Sequence, residues 1–163
     1  MTFPIADDFN RSDSTTIGGD WVERRGGWEI VSNKLKCIDT AFGRQHIHNT
    51  GDTGTDVYCE VVLNGGGSNQ DAAGPLARRV DASGSDSNFV FASLNNSGSS
   101  IRVRAFKVIG STITELGETL YGSYDNATDY LVRLEVEGAS PDIEMLVYVD
   151  GVLLGSRRPT STV

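Results

Sequence analysis

The chain lacks a helical period: nowhere do apolar residues recur three and four positions apart over several turns, which excludes a helical bundle and the crossover helices of a parallel sheet. It also lacks any run of about 18 apolar residues, so no membrane-spanning helix is expected. Met1-Thr2-Phe3-Pro4 leads into an apolar stretch without a basic and then hydrophobic leader, so no signal peptide is expected either. Only two cysteines, Cys37 and Cys59, occur in 163 residues. That rules out a disulfide scaffold, and both fall in predicted strands, where they are expected as buried thiols. Positive charge is in short supply, with 14 Lys and Arg against 22 Asp and Glu for a net charge of −8. A general nucleic-acid binder depends on phosphate attraction, so that function class is excluded.

What the chain has in quantity is turn chemistry. Nineteen glycines, against four prolines, accompany many Ser, Thr, Asn and Asp residues, as an all-β protein requires. Period-2 alternation predicts strands near 5–9, 20–24, 27–32, 34–38, 55–64, 74–80, 88–94, 100–108, 111–116, 129–137, 142–149 and 152–156. In the fifth, Val57, Cys59, Val61 and Leu63 share one face, while Tyr58, Glu60 and Val62 share the other. Tyr130, Val132, Leu134 and Val136 alternate with Arg133, Glu135 and Glu137, and Ile143, Met145, Val147 and Val149 with Glu144, Leu146 and Tyr148. These read as long strands with one buried and one wet face. Asp150-Gly151 between two apolar runs predicts a type I′ hairpin. Residues 39–54, with His46 and His48, are the least regular and read as a loop. No linker or internal repeat divides the chain, so residues 1–163 are expected to form one antiparallel β-sandwich.

The stretch Asp7-Asp8-Phe9-Asn10-Arg11-Ser12-Asp13-Ser14, followed by Gly18-Gly19-Asp20-Trp21-Val22-Glu23, Gly27-Trp28-Glu29-Ile30-Val31 and Leu35-Lys36-Cys37, is the most specific part of the chain. It resembles the N-terminal edge of concanavalin A-like or laminin-G-like jelly-roll domains, many of which occur in bacterial secreted proteins and bacteriophage tail and capsid proteins. A fainter match continues through Phe89-Val90-Phe91-Ala92, Ile101-Arg102-Val103-Arg104, Tyr130–Glu137 and Val147–Val152, so it covers most of the chain. The resemblance implies a jelly roll with Trp21 and Trp28 in its packed edge. Family members commonly add a last strand that returns to pair with the first. Here the sequence stops at Arg157–Val163, so either its last six or so residues supply a stub of that strand or an edge near 5–9 is left for another chain.

Several constellations could carry chemistry. Glu135 with Glu137, and Asp142 with Glu144, are spaced as the alternating carboxylates of sandwich glycan hydrolases, but neither fits the fuller acidic motif of those enzymes. His46 and His48, with Asp52 or Asp56, could ligate a metal. The resemblance also implies calcium at a sandwich rim, with Asp71, Asp81, Asp86 and Asp125 in or beside suitable loops. None sits in an EF-hand-type pattern, so no cofactor is expected, calcium being the one candidate. No Gly-x-Ser-x-Gly elbow supports nucleophilic catalysis. Arg78, Arg102, Arg104, Arg133 and Tyr148 are the candidate contact residues. Arg102 and Arg104 share a strand face, which either pairs with nearby carboxylates or meets an acidic partner.

The expected function is therefore that of a non-enzymatic bacteriophage virion protein, a capsid decoration or minor tail component, docking on repeated capsid or tail subunits. Homo-oligomer formation is a further candidate, and release would follow host lysis. The alternative is a carbohydrate-binding module for a host surface glycan, followed by a glycan hydrolase. An exposed aromatic beside Arg102, Arg104 or Tyr148 would favour the glycan.

Overall fold

A computed structural model describes residues 7–18, 21–25, 27–38, 46–49, 56–64, 72–80, 88–110, 112–123, 125, 127–139 and 142–158. Among them there is no helix, and every strand pairing is antiparallel. The chain divides into two compact units, Met1–Thr53 and Gly54–Val163.

The first unit contains β1 (Trp21–Arg25), β2 (Trp28–Val31), β3 (Lys34–Cys37) and β4 (His46–Asn49). β2 and β3 form a hairpin whose turn residues, Ser32 and Asn33, both take left-handed φ, at 53° and 59°. That is the twist a two-residue hairpin favours. β4 corrects the expectation of a loop at His46 and His48: backbone pairing with β1 draws this stretch into a strand. The strand expected near 5–9 is also corrected over Asp7–Phe9, which is irregular, while residues 5 and 6 lie outside the described residues. The Asp7 carboxylate accepts hydrogen bonds from Phe9 N (2.8 Å), Arg11 Nη1 (2.8 Å) and Trp21 Nε1 (2.9 Å). Phe9 has φ of 53°, which ends any extended run. Its ring lies 5.6 Å from that of Trp21 and 5.1 Å from the Arg11 guanidinium. The Asp-Asp-Phe-Asn-Arg motif is thus a knot of side-chain bonds and contacts rather than a sheet edge.

The second unit contains β5 (Val57–Asn64), β6 (Ala72–Ala73), β7 (Leu76–Val80), β8 (Asn88–Ser97), β9 (Ser100–Ile109), β10 (Thr112–Ser123), β11 (Asp129–Glu137), β12 (Glu144–Val149) and β13 (Val152–Arg157). One sheet runs β10-β9-β8, with β6 and β7 along the outer edge of β8; the other runs β13-β12-β11-β5. Alternate residues of both sheets, among them Val90, Ala92, Leu94, Ile101 and Val103 from the first and Val132, Leu134, Val136, Met145 and Val147 from the second, bury into one hydrophobic core. This unit is therefore all-β, antiparallel and sandwich-like.

Local chemistry sets the breaks in these strands. Asp150 and Gly151 take φ of 51° and 79°, so the β12–β13 hairpin has the expected type I′ turn. At Gly74, a Cβ would collide with the carbonyl of Ala92, so only glycine permits the close approach that separates β6 from β7. β10 outruns its predicted end because bulges, one of them at Glu115–Gly117, let it follow β9. The Arg157 side chain lies where a Cβ at Gly117 or Gly155 would stand. Its Nη1 donates to the Ser156 carbonyl at 2.8 Å and its Nη2 to Thr119 Oγ1 at 3.5 Å, joining the β13 edge of one sheet to the β10 edge of the other.

The register makes a direct prediction. Leu134 is fully buried and Leu131, on the same strand, faces outward. Leu134→Ala is expected to cost about 2–5 kcal/mol and Leu131→Ala under about 1 kcal/mol. Urea unfolding midpoints of the two variants measure the difference, and equal losses would refute this register.

Candidate functional site

The outer face of the β5-β11-β12-β13 sheet is built by register. Val62 pairs with Leu131; Glu60 with Arg133, Arg133 with Tyr148, and Tyr148 with Leu153. Tyr58 pairs with Glu135, Glu135 with Leu146, and Leu146 with Ser156. Because side chains alternate, the burial of Val132, Leu134 and Val136 forces Leu131, Arg133, Glu135 and Glu137 outward.

Arg133 is the centre of this face. Its guanidinium lies 4.4 Å from the Tyr58 ring centroid and 5.8 Å from that of Tyr148, within cation–π range. Nη1 reaches Glu60 at 3.3 Å, and Nη2 pairs with Glu135. Tyr148 donates its hydroxyl to Glu135 Oε2 at 3.0 Å, which raises the Tyr148 pKa above its ordinary 10.0. The positive charge is thereby neutralised and stacked, and what the face offers is aromatic and aliphatic surface. Tyr58 is 54 % exposed, Val62 62 %, Leu131 38 % and Leu153 50 %, values far from those of core residues of the same types. Beside Tyr58 a depression of about 190 Å³ is lined by Asp56, Val57, Glu135, Val136 and Glu137. That is below the roughly 300 Å³ at which small-molecule pockets begin.

The other candidates are distributed differently. Arg102 and Arg104 stand on the outer face of β9, where Arg102 Nε lies 3.3 Å from Glu118 and Arg104 Nη1 lies 3.7 Å from Glu115. Their partners on β8, Asn95 and Ser93, are buried, as is Phe89 opposite Val108, and Phe91 stacks on Phe106 at 4.7 Å. Carboxylate pairing, one of the two readings of these arginines, is what this face holds. The Arg78 side chain, on β7, lies outside the described residues, as do the side chains of His46 and His48, all of Asp52, and the calcium candidates Asp71, Asp81 and Asp86. Asp125 instead caps its own turn, accepting from Ala127 N at 2.9 Å and Thr128 Oγ1 at 2.8 Å. Among the described residues no group of acidic, His or Cys side chains is arranged to hold a metal.

No protein-family model, curated protein or solved structure matches this chain.

Two of the four carboxylates considered for glycan cleavage are engaged elsewhere. Glu135 serves Arg133 and Tyr148, and Glu144 accepts from Ser156 Oγ and Arg158, which lower its pKa. A general acid needs the opposite shift. Neither Cys37 nor Cys59 is in a disulfide, and both are half-buried rather than buried, each standing on a strand one of whose neighbours is exposed. Trp21 and Trp28 are likewise half-buried. Sequence reasoning placed Tyr58, Val62 and Glu60 on the wet face but did not join them to Arg133; the alternation held that signal, and the cross-strand register completes it.

Charge gives the pH response. Asp7 is held below its ordinary 3.8 chiefly by the Arg11 hydrogen bond, Asp125 by the Ala127 amide, and Glu144 below 4.5 by Ser156. Each therefore binds fewer protons in the folded state, and its contribution is present at neutral pH and lost as pH falls through the lowered values. Tyr148, and Tyr121 through desolvation, are raised above 10.0, so their contribution is lost as pH rises through the raised values. Urea midpoints are expected to fall below about pH 4 and again above about pH 10, with Trp21 fluorescence following the acid limb through Asp7. A flat profile over either limb would contradict these pairings.

Proposed function

We propose that the protein is a non-enzymatic docking module of the concanavalin A-like jelly-roll kind and a structural component of a bacteriophage virion, as a capsid decoration or minor tail protein. The observation that carries the docking role is the exposed Tyr58, Val62, Leu131 and Leu153 on one flat sheet face around a neutralised Arg133. Aromatic residues and arginine surrounded by aliphatic side chains are the composition of interface anchors. The sequence resemblance supports the virion setting and the jelly-roll class.

The size of the face fits repeated docking. Four strands about 4.8 Å apart, with six to nine residues each at about 3.4 Å, give a flat area of about 400–500 Å². One such contact is at the low end of specific interfaces. On a surface of repeated subunits, many weak contacts made together hold far better than each alone.

A second reading, adsorption to a host glycan, is favoured by one observation: Tyr58 is an exposed aromatic beside Arg133 and Tyr148. Stacking of a sugar ring on Tyr58 would be lost in Tyr58→Ala on a glycan array.

The virion reading is tested by assembly. In the phage that encodes it, the protein is expected in purified particles by mass spectrometry, and the Val62→Asp/Leu131→Asp double variant, folded as judged by its unfolding midpoint, is expected to be depleted at least tenfold. Absence of the parent protein from particles would end the virion assignment, and full retention of the double variant would end this face's role in it.

A further inference from the structure

We infer that the outer face of the β5-β11-β12-β13 sheet takes a cationic, partly apolar polypeptide segment of a partner protein; this rests on the docking role proposed above. Among the described residues, Glu60, Glu135, Glu137 and Glu144 point outward from it, against Arg133 and Arg158. Arg133 is held by Glu60 and Glu135, and Arg158 by Glu144 at 3.0 Å, so among the described residues no basic group of the face is paired with Glu137. The face is net negative on a chain of net charge −8. A second copy of the same face would meet it with like charge, and so would a nucleic acid or an anionic lipid surface. A basic segment would not.

The polarity of the face fixes the pattern of that segment. At one end, Tyr58, Asp56, Glu135 and Glu137 line the depression of about 190 Å³, where an aromatic ring and the two carboxylates not paired with Arg133, Asp56 and Glu137, suit a guanidinium or ammonium head. The Tyr58 ring already carries one guanidinium, that of Arg133, at 4.4 Å. At the other end, the Val62–Leu131 pair is exposed and free of charge. Tyr58 and Val62 are four residues apart on one strand, about 13 Å. An extended segment lying along the strands therefore needs Arg or Lys at one position and an apolar side chain four residues away, on the same side. Since the charges lie at the surface, added salt should weaken the contact.

The probe is an eight-residue peptide in which threonine alternates with two arginines and then two leucines, titrated into the isotopically labelled protein and followed by amide chemical shifts. Perturbations are expected at Tyr58, Val62, Leu131 and Glu137. Binding is expected to weaken at least fivefold between about 20 and 200 mM salt, and at least tenfold in Glu137→Lys. Val62→Ser, with no change in charge, should weaken it while leaving the salt dependence intact. A twin peptide with glutamate for arginine should not bind. Equal binding of the twin, perturbations off this face, or none with the arginine peptide would overturn the cationic chemistry. The docking role would still be judged by the particle content of the Val62→Asp/Leu131→Asp variant.

Discussion

The register of β11 against its two neighbours is the constraint on which this molecule's surface depends. Val132, Leu134 and Val136 are fully buried only if β11 meets β5 and β12 as it does. A shift of one residue would turn Arg133, Glu135 and Glu137 into the core, at the cost of several unpaired buried charges. The same choice sets Tyr58 and Tyr148 on either side of the Arg133 guanidinium. Core packing and surface chemistry are thus two outcomes of one alignment, which Asp150 holds at one end, its N–H donating to the Leu131 carbonyl and its Oδ1 accepting from the Leu131 N–H, both at 2.9 Å.

The two sheets of Gly54–Val163 use their outward faces differently. On the β8–β9 side, Phe89, Val108, Ser93 and Asn95 are buried although they point away from the shared core. On the β5–β11 side, side chains of comparable apolarity lie open. A protein exposes single apolar residues at little consequence, but a group of them ordered around a stacked arginine is the composition of a surface that meets something. Neutralising Arg133 beforehand with Glu60 and Glu135 also lowers the desolvation cost of covering it.

Much of this was legible in the sequence wherever a strand obeys a two-residue period without interruption. The alternation in 57–63, 130–137 and 143–149 assigned both faces of three strands, and Asp150-Gly151 announced its turn. The reading weakened where pairing overrides pattern. β4 carries no apolar alternation and forms by backbone bonds to β1. β10 contains Gly117, which interrupts the period yet sits in a bulge. Near 5–9 the run of apolar and charged residues suggested a strand, whereas over Asp7–Phe9 carboxylate bonds and the left-handed Phe9 decide the conformation. The candidate site was half legible: Arg133 and Tyr148 could be named, but their meeting with Tyr58, Glu60 and Glu135 is a property of three strands together. No single strand contains it.

Arg157 couples Gly155, on its own strand, to Gly117, far away in the chain. Its guanidinium occupies the space that side chains at Gly117 and Gly155 would fill, while its hydrogen bonds join β13 to β10. A side chain at either glycine therefore requires the Arg157 guanidinium to shift, and a shorter residue at 157 loses the bond to Thr119. Descendants of this sequence should keep or abandon the three together, so that natural variation at one of them forecasts the residue at the other two.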